Sequence, residues 1–303
     1  MNKANDIYIR RINKAIDYAT ENLDKKISLD VLAAQALFSP YHFHRIFRAV
    51  MGETVNGFTT RMRNEKAARL LRFSKKTMTD IAMECGFSSS STFSRIFRQY
   101  FQISPTEYRH GTEIQNSKIR KAPSPGSSYY CGMTAEELEG KFPVEIRQVP
   151  LRRIAYIRVI DAFKEGIVLR AFKTLVKWAK EVGLFKSQTI FGMSMDDPDV
   201  TARENYRYEV CITLPAGWAM NPAHSIQTMT LPGCRYAVTS VSGNFDLVTA
   251  ATNYLIDIWL INSSYEHEHL HGLEVFLNNE NVCDWSHFDL ELFVPIKALT
   301  NIK

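Results

Sequence analysis

Phe43-His-Arg-Ile-Phe-Arg48 and Phe93-Ser-Arg-Ile-Phe-Arg98 agree at five of six positions, fifty residues apart in one chain. The repeat extends upstream, where Leu32-Ala-Ala-Gln-Ala-Leu-Phe-Ser39 is echoed by Ile81-Ala-Met-Glu-Cys-Gly-Phe-Ser88. One extra residue sits in the second copy's turn. In the first copy a helix can start at Ser28 as N-cap and carry Leu29, Leu32 and Ala33 inward. Ser39 can cap the next helix, with Pro40 at its first position, where a missing N–H costs nothing. On that helix Phe43, Ile46, Phe47 and Val50 share one face, and Tyr41, His44, Arg45 and Arg48 share the other. In the second copy Met78, Ile81, Ala82, Phe93, Ile96 and Phe97 face inward, Gly86 stops the first helix, and Ser90, Ser91, Ser94, Arg95 and Arg98 can lie outward. Helices with an apolar inner face and an outer face of Tyr, His, Ser and Arg suit the DNA major groove, where arginines meet phosphates or guanine edges. Read without that context, they would be surface helices with solvated arginines.

Charge separates this front part from the rest. Residues 1–110 hold 18 Lys+Arg against 10 Asp+Glu, residues 111–143 hold 4 of each, and residues 144–303 hold 15 against 18. A basic front and a slightly acidic back place a polyanion against the front alone. Ala122-Pro-Ser-Pro-Gly-Ser-Ser128 has the composition of a linker, which gives domains at 1–110 and 144–303 with a linker at 111–143. The chain's 303 residues fit two domains, and its 45% hydrophobic and 23% charged content is globular. No apolar run reaches the ~18 residues of a spanning helix, and Met1–Arg11 has no signal-peptide core, so a cytoplasmic protein with no membrane partner is expected. Five scattered cysteines argue against a disulfide framework.

The front is helical: Ile9, Ile12, Ala15, Ile16 and Ala19 recur at three- and four-residue steps. The back mixes β-rich stretches (154–159, 208–214 and 236–241) with helical ones near Lys164–Val182 and Asp246–Ile261. It is also repetitive. Val149-Pro-Leu-Arg-Arg-Ile-Ala-Tyr156 resembles Leu231-Pro-Gly-Cys-Arg-Tyr-Ala-Val238, and each is followed by a helix and two strands, the last ending in proline (Pro215, Pro295). The fold class is therefore multidomain: an all-α double helix-turn-helix domain, then an α+β domain of two strand-strand-helix-strand-strand repeats.

The two units, the basic helix Val55–Arg72 between them, and the closing series Gly86, Phe87, Phe93, Phe97, Phe101, Pro105, Tyr108 and Arg109 resemble the AraC/XylS transcription regulators over about residues 8–110. The resemblance implies seven helices, with two recognition helices in successive major grooves of a site of roughly 20 base pairs. Carried over by position, the base-reading residues are Tyr41, His44 and Arg45, then Ser90, Ser91, Ser94 and Arg95. Leu37 stands where that family usually has glycine, so a distorted first turn is expected. Short serines at 90 and 91 imply weaker reading by the second helix.

In the back part, Gly272-Leu-Glu-Val-Phe-Leu277 and Asp289-Leu-Glu-Leu-Phe-Val-Pro295 each present Glu-x-Phe on one strand face, Glu274 with Phe276 and Glu291 with Phe293. A carboxylate between aromatic rings attracts an organic cation. The alternative is that these faces are simply wet. Segment 144–303 resembles the GyrI-like effector-binding domain through Tyr208-Glu-Val-Cys-Ile-Thr-Leu-Pro215, Gly272-Leu-Glu274 and Glu291-Leu-Phe-Val-Pro-Ile296. Its position behind an AraC-type domain resembles the Rob-like regulators. The resemblance implies a groove for small lipophilic, often cationic, effectors with a glutamate at its centre. Glu274 is the first candidate and Glu291 the second, with Tyr156, Tyr208, Trp218, Trp259 and Trp285 as candidate walls. His267-Glu-His-Leu-His271 could hold a metal or be solvated, the latter being expected. No catalytic motif is present, and neither a cofactor nor an enzyme activity is expected. The expected function is transcription regulation, with double-stranded DNA, a small effector and RNA polymerase as partners. The alternatives for the back domain are a hydrolase using Glu with Tyr or Trp, and a protein-binding module.

Overall fold

A computed structural model describes residues 3–110, 130–197, 200–219, 226–268 and 270–299. The chain divides into two compact units, Met1–Lys121 with Asp197–Asn205, and Ala122–Asp196 with Tyr206–Lys303. Most of the stretch expected as linker, residues 111–129, lies outside the described residues. Residues 135–141 of it are helical, with Leu138 and Phe142 buried, so the C-terminal end of that stretch is packed structure.

Among its described residues the first unit holds seven α-helices, α1 (Lys3–Glu21), α2 (Leu29–Gln35), α3 (Pro40–Met51), α4 (Val55–Phe73), α5 (Met78–Glu84), α6 (Ser90–Phe101) and α7 (Pro105–Arg109), and a short 3-10 turn at Arg203–Asn205. Ile12, Ala15, Ile16 and Ala19 of α1 are fully buried, as their spacing requires. The two repeats match in their caps and in their burial. Ser39 caps α3 by accepting from the His42 N–H, and Ser89 caps α6 by accepting from the Thr92 N–H. Gly52 and Gln102 end the two helices in the left-handed region. Between positions 41–51 and 91–101 the pattern of burial differs only at His42 and Thr92. Phe43, Phe47 and Met51 are buried on α3, as are Phe93, Phe97 and Phe101 on α6.

The second unit begins with α8 (Ala135–Lys141) and holds α9 (Ile167–Glu181) and α10 (Phe245–Asn253), which continues through a π-helical turn at Tyr254–Trp259 into α11 (Leu260–Asn262). Its strands are β1 (Glu145–Val149), β2 (Arg152–Ile160), β3 (Ile190–Ser194), β4 (Arg207–Thr213), β5 (Gln227–Leu231), β6 (Cys234–Gly243), β7 (Tyr265–His267), β8 (Gly272–Phe276) and β9 (Phe288–Ala298). They form one antiparallel sheet in the order β1-β6-β9-β8-β3-β4-β2-β5, with β7 added beside β9.

A single offset of 82 relates the two repeats throughout this sheet. Val149 faces Cys234 while Leu231 faces Arg152, Ala155 faces Ile212 while Ala237 faces Val294, and Gly192 faces Glu274 at the centre. Two-residue links, Pro150-Leu151 and Pro232-Gly233, join strands from opposite ends of the order. Links that short span only about 10 Å, so the sheet must curl until its ends meet. Val149, Tyr156, Leu231 and Tyr236, from four strands near the two ends, indeed share one buried cluster on the inner face. The helices take the other face, α9 over β2 and β4, α10 over β6 and β9.

Candidate functional site

The recognition-helix positions fall as their alternation dictates. Tyr41 is 74% exposed, and Arg45, Arg48, Ser91, Arg95 and Arg98 are exposed, whereas His44, Ser90 and Ser94 are half-buried. The Arg45 guanidinium lies over the Tyr41 ring at 5.9 Å, which holds both side chains on the outer face. The turn before α3 is not distorted, contrary to expectation. Leu37 adopts φ 56°, close to the 74° of Gly86, and both turns carry the same pair of backbone hydrogen bonds. Leu37 can do so because its side chain is 70% exposed, so only the intrinsic left-handed strain remains. Gly86 has no such freedom, since a Cβ there would lie 2.1 Å from the Leu23 carbonyl oxygen.

A buried polar network ties the two repeats together. Arg61 of α4 donates to Glu53 at 2.7 Å and to Glu65 at 3.2 Å, and Tyr100 of α6 donates to Glu65 at 3.5 Å. Burial and the Glu65 charge push the Tyr100 hydroxyl pKa up, keeping it a donor. Arg63 reaches the Leu23 and Lys25 carbonyls and so braces the end of α1 against α4.

In the second unit, Glu274 sits at the centre of the sheet on the helix side. The Tyr208 hydroxyl donates to it at 2.5 Å, crossing β3 at Gly192, and Ser194 hydrogen-bonds it as well. A Cβ on Gly192 would lie 1.6 Å from the Tyr208 oxygen, so the glycine is what lets the two meet. Phe172 of α9 closes over them, with its ring 6.5 Å from Tyr208 and 5.3 Å from Phe276. Burial raises the Glu274 pKa above the ordinary carboxylate value, and the Tyr208 and Ser194 hydrogen bonds oppose that rise. Burial, and then the nearby carboxylate, push the Tyr208 hydroxyl well above its usual value. The result is a half-buried acid walled by Phe172, Tyr208 and Phe276.

The structure corrects the rest of the expected groove. Glu274 faces Leu292 across the β8–β9 ladder, while Glu291 faces Val275. Residues directly opposite share a face, so the two glutamates point to opposite sides of the sheet. Phe293 and Tyr156 lie with Glu291 on the inner face, inside the apolar cluster. By the offset of 82, Glu291 is the counterpart of Glu209. Both are bound by arginine, Glu291 by Arg147 at 2.9 Å and Glu209 by Arg158. Trp218 packs edge-on to Trp178, Trp259 stacks on Tyr265, and Trp285 leans on Phe288. None of the three tryptophans has a ring contact with the aromatic side chains around Glu274. Sequence reasoning missed Phe172, Gly192 and Ser194. Carrying the visible repeat forward by 82 residues would have paired Gly192 with Glu274. Of the histidine cluster, His269 lies outside the described residues, and no metal-ligand grouping occurs among the described ones. All five cysteines are free. No helix among the described residues is long and apolar enough to cross a membrane.

Comparison with known proteins finds a family match in each part of the chain. Residues 32–111 match a helix-turn-helix domain family, and residues 142–297 match the GyrI-like small molecule binding domain. The chain is 35% identical over 99 residues to the regulatory protein SoxS of Salmonella typhimurium, which covers 33% of this chain and 92% of that protein. It is 36% identical over 99 residues to the transcriptional regulator Rob of the same organism, covering 33% of this chain but 34% of that one. Among solved structures, the DNA-binding domain of AdpA in complex with a target DNA is 30% identical, covers 33% of this chain and 90% of that one, and has a TM-score of 0.32. The chain belongs to the GyrI-like small molecule binding domain family and carries an AraC-type helix-turn-helix domain ahead of it, which makes it a DNA-binding transcription regulator with an effector-binding domain.

Proposed function

We propose that residues 1–110 read a promoter site of roughly 20 base pairs through α3 and α6, and that residues 144–303 sense a lipophilic organic cation at Glu274. Tyr41, His44, Arg45 and Arg48 serve the first half-site, with Ser90, Ser91, Ser94, Arg95 and Arg98 serving the second. The buried network of Arg61, Glu53, Glu65 and Tyr100 supports this reading, because it holds the two recognition helices at a fixed separation. Such a regulator works on cytoplasmic DNA, with RNA polymerase as the partner whose engagement it changes.

The observation that carries the effector assignment is the Tyr208–Glu274 contact under Phe172 and Phe276. A carboxylate taken out of water, with its pKa raised, lacks a full counter-charge, and a cation with apolar flanks supplies one. The test is a titration of the full chain with a cationic dye and a neutral analogue of similar size. Glu274→Gln should weaken the dye at least tenfold and leave the neutral compound nearly unchanged. Equal loss for both ligands would sink the charge-based assignment. A second reading, hydrolysis, draws on the same pair, because a glutamate beside a tyrosine hydroxyl can position water and polarise a carbonyl. Ester turnover that disappears in Tyr208→Phe would favour it.

A further inference from the structure

Among the described residues, the inner face of the curled sheet, opposite Glu274, carries four arginines, and three of them are matched. Arg147 holds Glu291 and Glu145, Arg158 holds Glu209, and Arg207 holds Asp196. The fourth, Arg152, makes no hydrogen bond or ion pair among the described residues. Its Nε is fully buried with no partner, and its guanidinium lies 5.3 Å over the Phe191 ring. The residue as a whole keeps partial exposure, so the terminal N–H groups remain within reach of a solute. Tyr236, across the curl on β6, lies near enough for its hydroxyl to feel the guanidinium charge, and burial keeps that hydroxyl protonated. Its ring packs edge-on to Phe293 at 5.6 Å, and its hydroxyl likewise has no hydrogen-bond partner among the described residues. Phe191, Met193, Leu231 and Phe293 complete an apolar wall around these two donors. A cavity of about 500 Å³ opens beside the same cluster, lined by Gln148, Gly233, Cys234, Glu268, Leu270 and Lys297.

A guanidinium in such a setting is costly without a counter-ion, and the chain supplies carboxylates to its neighbours but none to it. We propose that Arg152 and Tyr236 form a second ligand site on the inner face, specific for a small aromatic monocarboxylate. The planar carboxylate meets the edge of the guanidinium in a bidentate pair, the Tyr236 hydroxyl donates to one oxygen, and the ring lies against the apolar wall. The site is independent of the Glu274 assignment: it has the opposite charge preference and lies on the other side of the sheet.

The test uses the full chain, benzoate as the probe and benzamide as its neutral isostere, followed by ligand-observed NMR, which reads millimolar binding. Benzoate should bind at least tenfold more tightly than benzamide. Arg152→Met should abolish that preference, and the variant should fold, because it replaces an unmatched charge with an apolar side chain of similar length. Arg152→Lys keeps the charge without the fork and should weaken benzoate several-fold while preserving the preference. Tyr236→Phe should weaken benzoate several-fold, and Glu274→Gln should leave it unchanged. Equal binding of benzoate and benzamide, no binding of benzoate, or unchanged benzoate binding in Arg152→Met would each overturn the proposal. Loss of benzoate in Glu274→Gln would overturn the claim of a separate site.

Discussion

Replacing Tyr208 by phenylalanine removes one atom from the effector site and keeps the ring that packs on Phe172. The lost group is the donor of the 2.5 Å hydrogen bond to Glu274, leaving Ser194 as the remaining side-chain donor. A hydrogen bond to a charged group contributes ~1.5–3 kcal/mol. It favours the ionised carboxylate over the neutral acid, and each pH unit of such preference corresponds to about 1.36 kcal/mol. Without the hydroxyl, Glu274 therefore stays protonated to higher pH. Its midpoint should rise by roughly 1–2 units if the Tyr208 bond has its usual strength. The readout is the binding of a cationic dye to the full chain, titrated from pH 4 to pH 10 by fluorescence. In the parent, affinity should rise with pH as Glu274 ionises. In Tyr208→Phe the same rise should begin later, so that below both midpoints the dye binds about tenfold more weakly or worse, while the two proteins converge at the alkaline end. A midpoint that is unchanged, or lower, would refute the reasoning, because the hydroxyl would then not be stabilising the charge.

Arg45→Ala and Arg95→Ala should each weaken operator binding by ~1–3 kcal/mol if their guanidiniums reach base edges, as gel shifts against operator and random DNA would show. Leu37→Gly should leave DNA binding intact and raise the thermal midpoint slightly, relieving ~1–2 kcal/mol of left-handed strain against the entropy of an added glycine. Gly86→Ala should unfold the first unit, since its Cβ would meet the Leu23 carbonyl oxygen at 2.1 Å, and loss of helical circular dichroism at ambient temperature would register it. Gly192→Ala should displace Tyr208 and abolish cationic-dye binding while the chain still binds DNA.

The helical repeats were readable because each depends on local rules: a serine cap, a proline at the first position, and aromatic residues three or four apart. The burial of Phe43, Phe47, Phe93 and Phe97 follows from that spacing alone. The turn at Leu37 follows no such local rule, because the cost of a left-handed leucine depends on what surrounds it, and there the surroundings are open solvent. The groove was half legible. Alternation along β8 and along β9 was right strand by strand, yet the faces of the two strands relative to each other depend on their register. That register comes from the antiparallel ladder and not from either segment. A shift of one residue separates Glu274 from Glu291, and nothing local to either strand reveals it. Phe172 was invisible for a related reason: on α9 it looks like any core residue of an amphipathic stripe, and only the packing of that helix over β4 makes it a wall of the site.

The crossed pairing of the sheet has a further consequence. β1 of the first repeat lies against β6 of the second, and β5 of the second lies against β2 of the first, so each half completes the other. A lone repeat would be left with open edges that only another repeat could cover. The arrangement is that of a strand-exchanged homodimer whose two subunits have been joined into one chain. In a true homodimer the two positions facing each other at the central β3–β8 pairing would be the same residue: two glutamates, repelling one another and sharing a proton, or two glycines, with no charge at all. Joining the copies freed them to differ, and one side became Glu274 while the other became the Gly192 over which Tyr208 reaches it. The lone carboxyl group at the central pairing of this sheet is a product of broken symmetry, available to a fused pair and closed to a symmetric one.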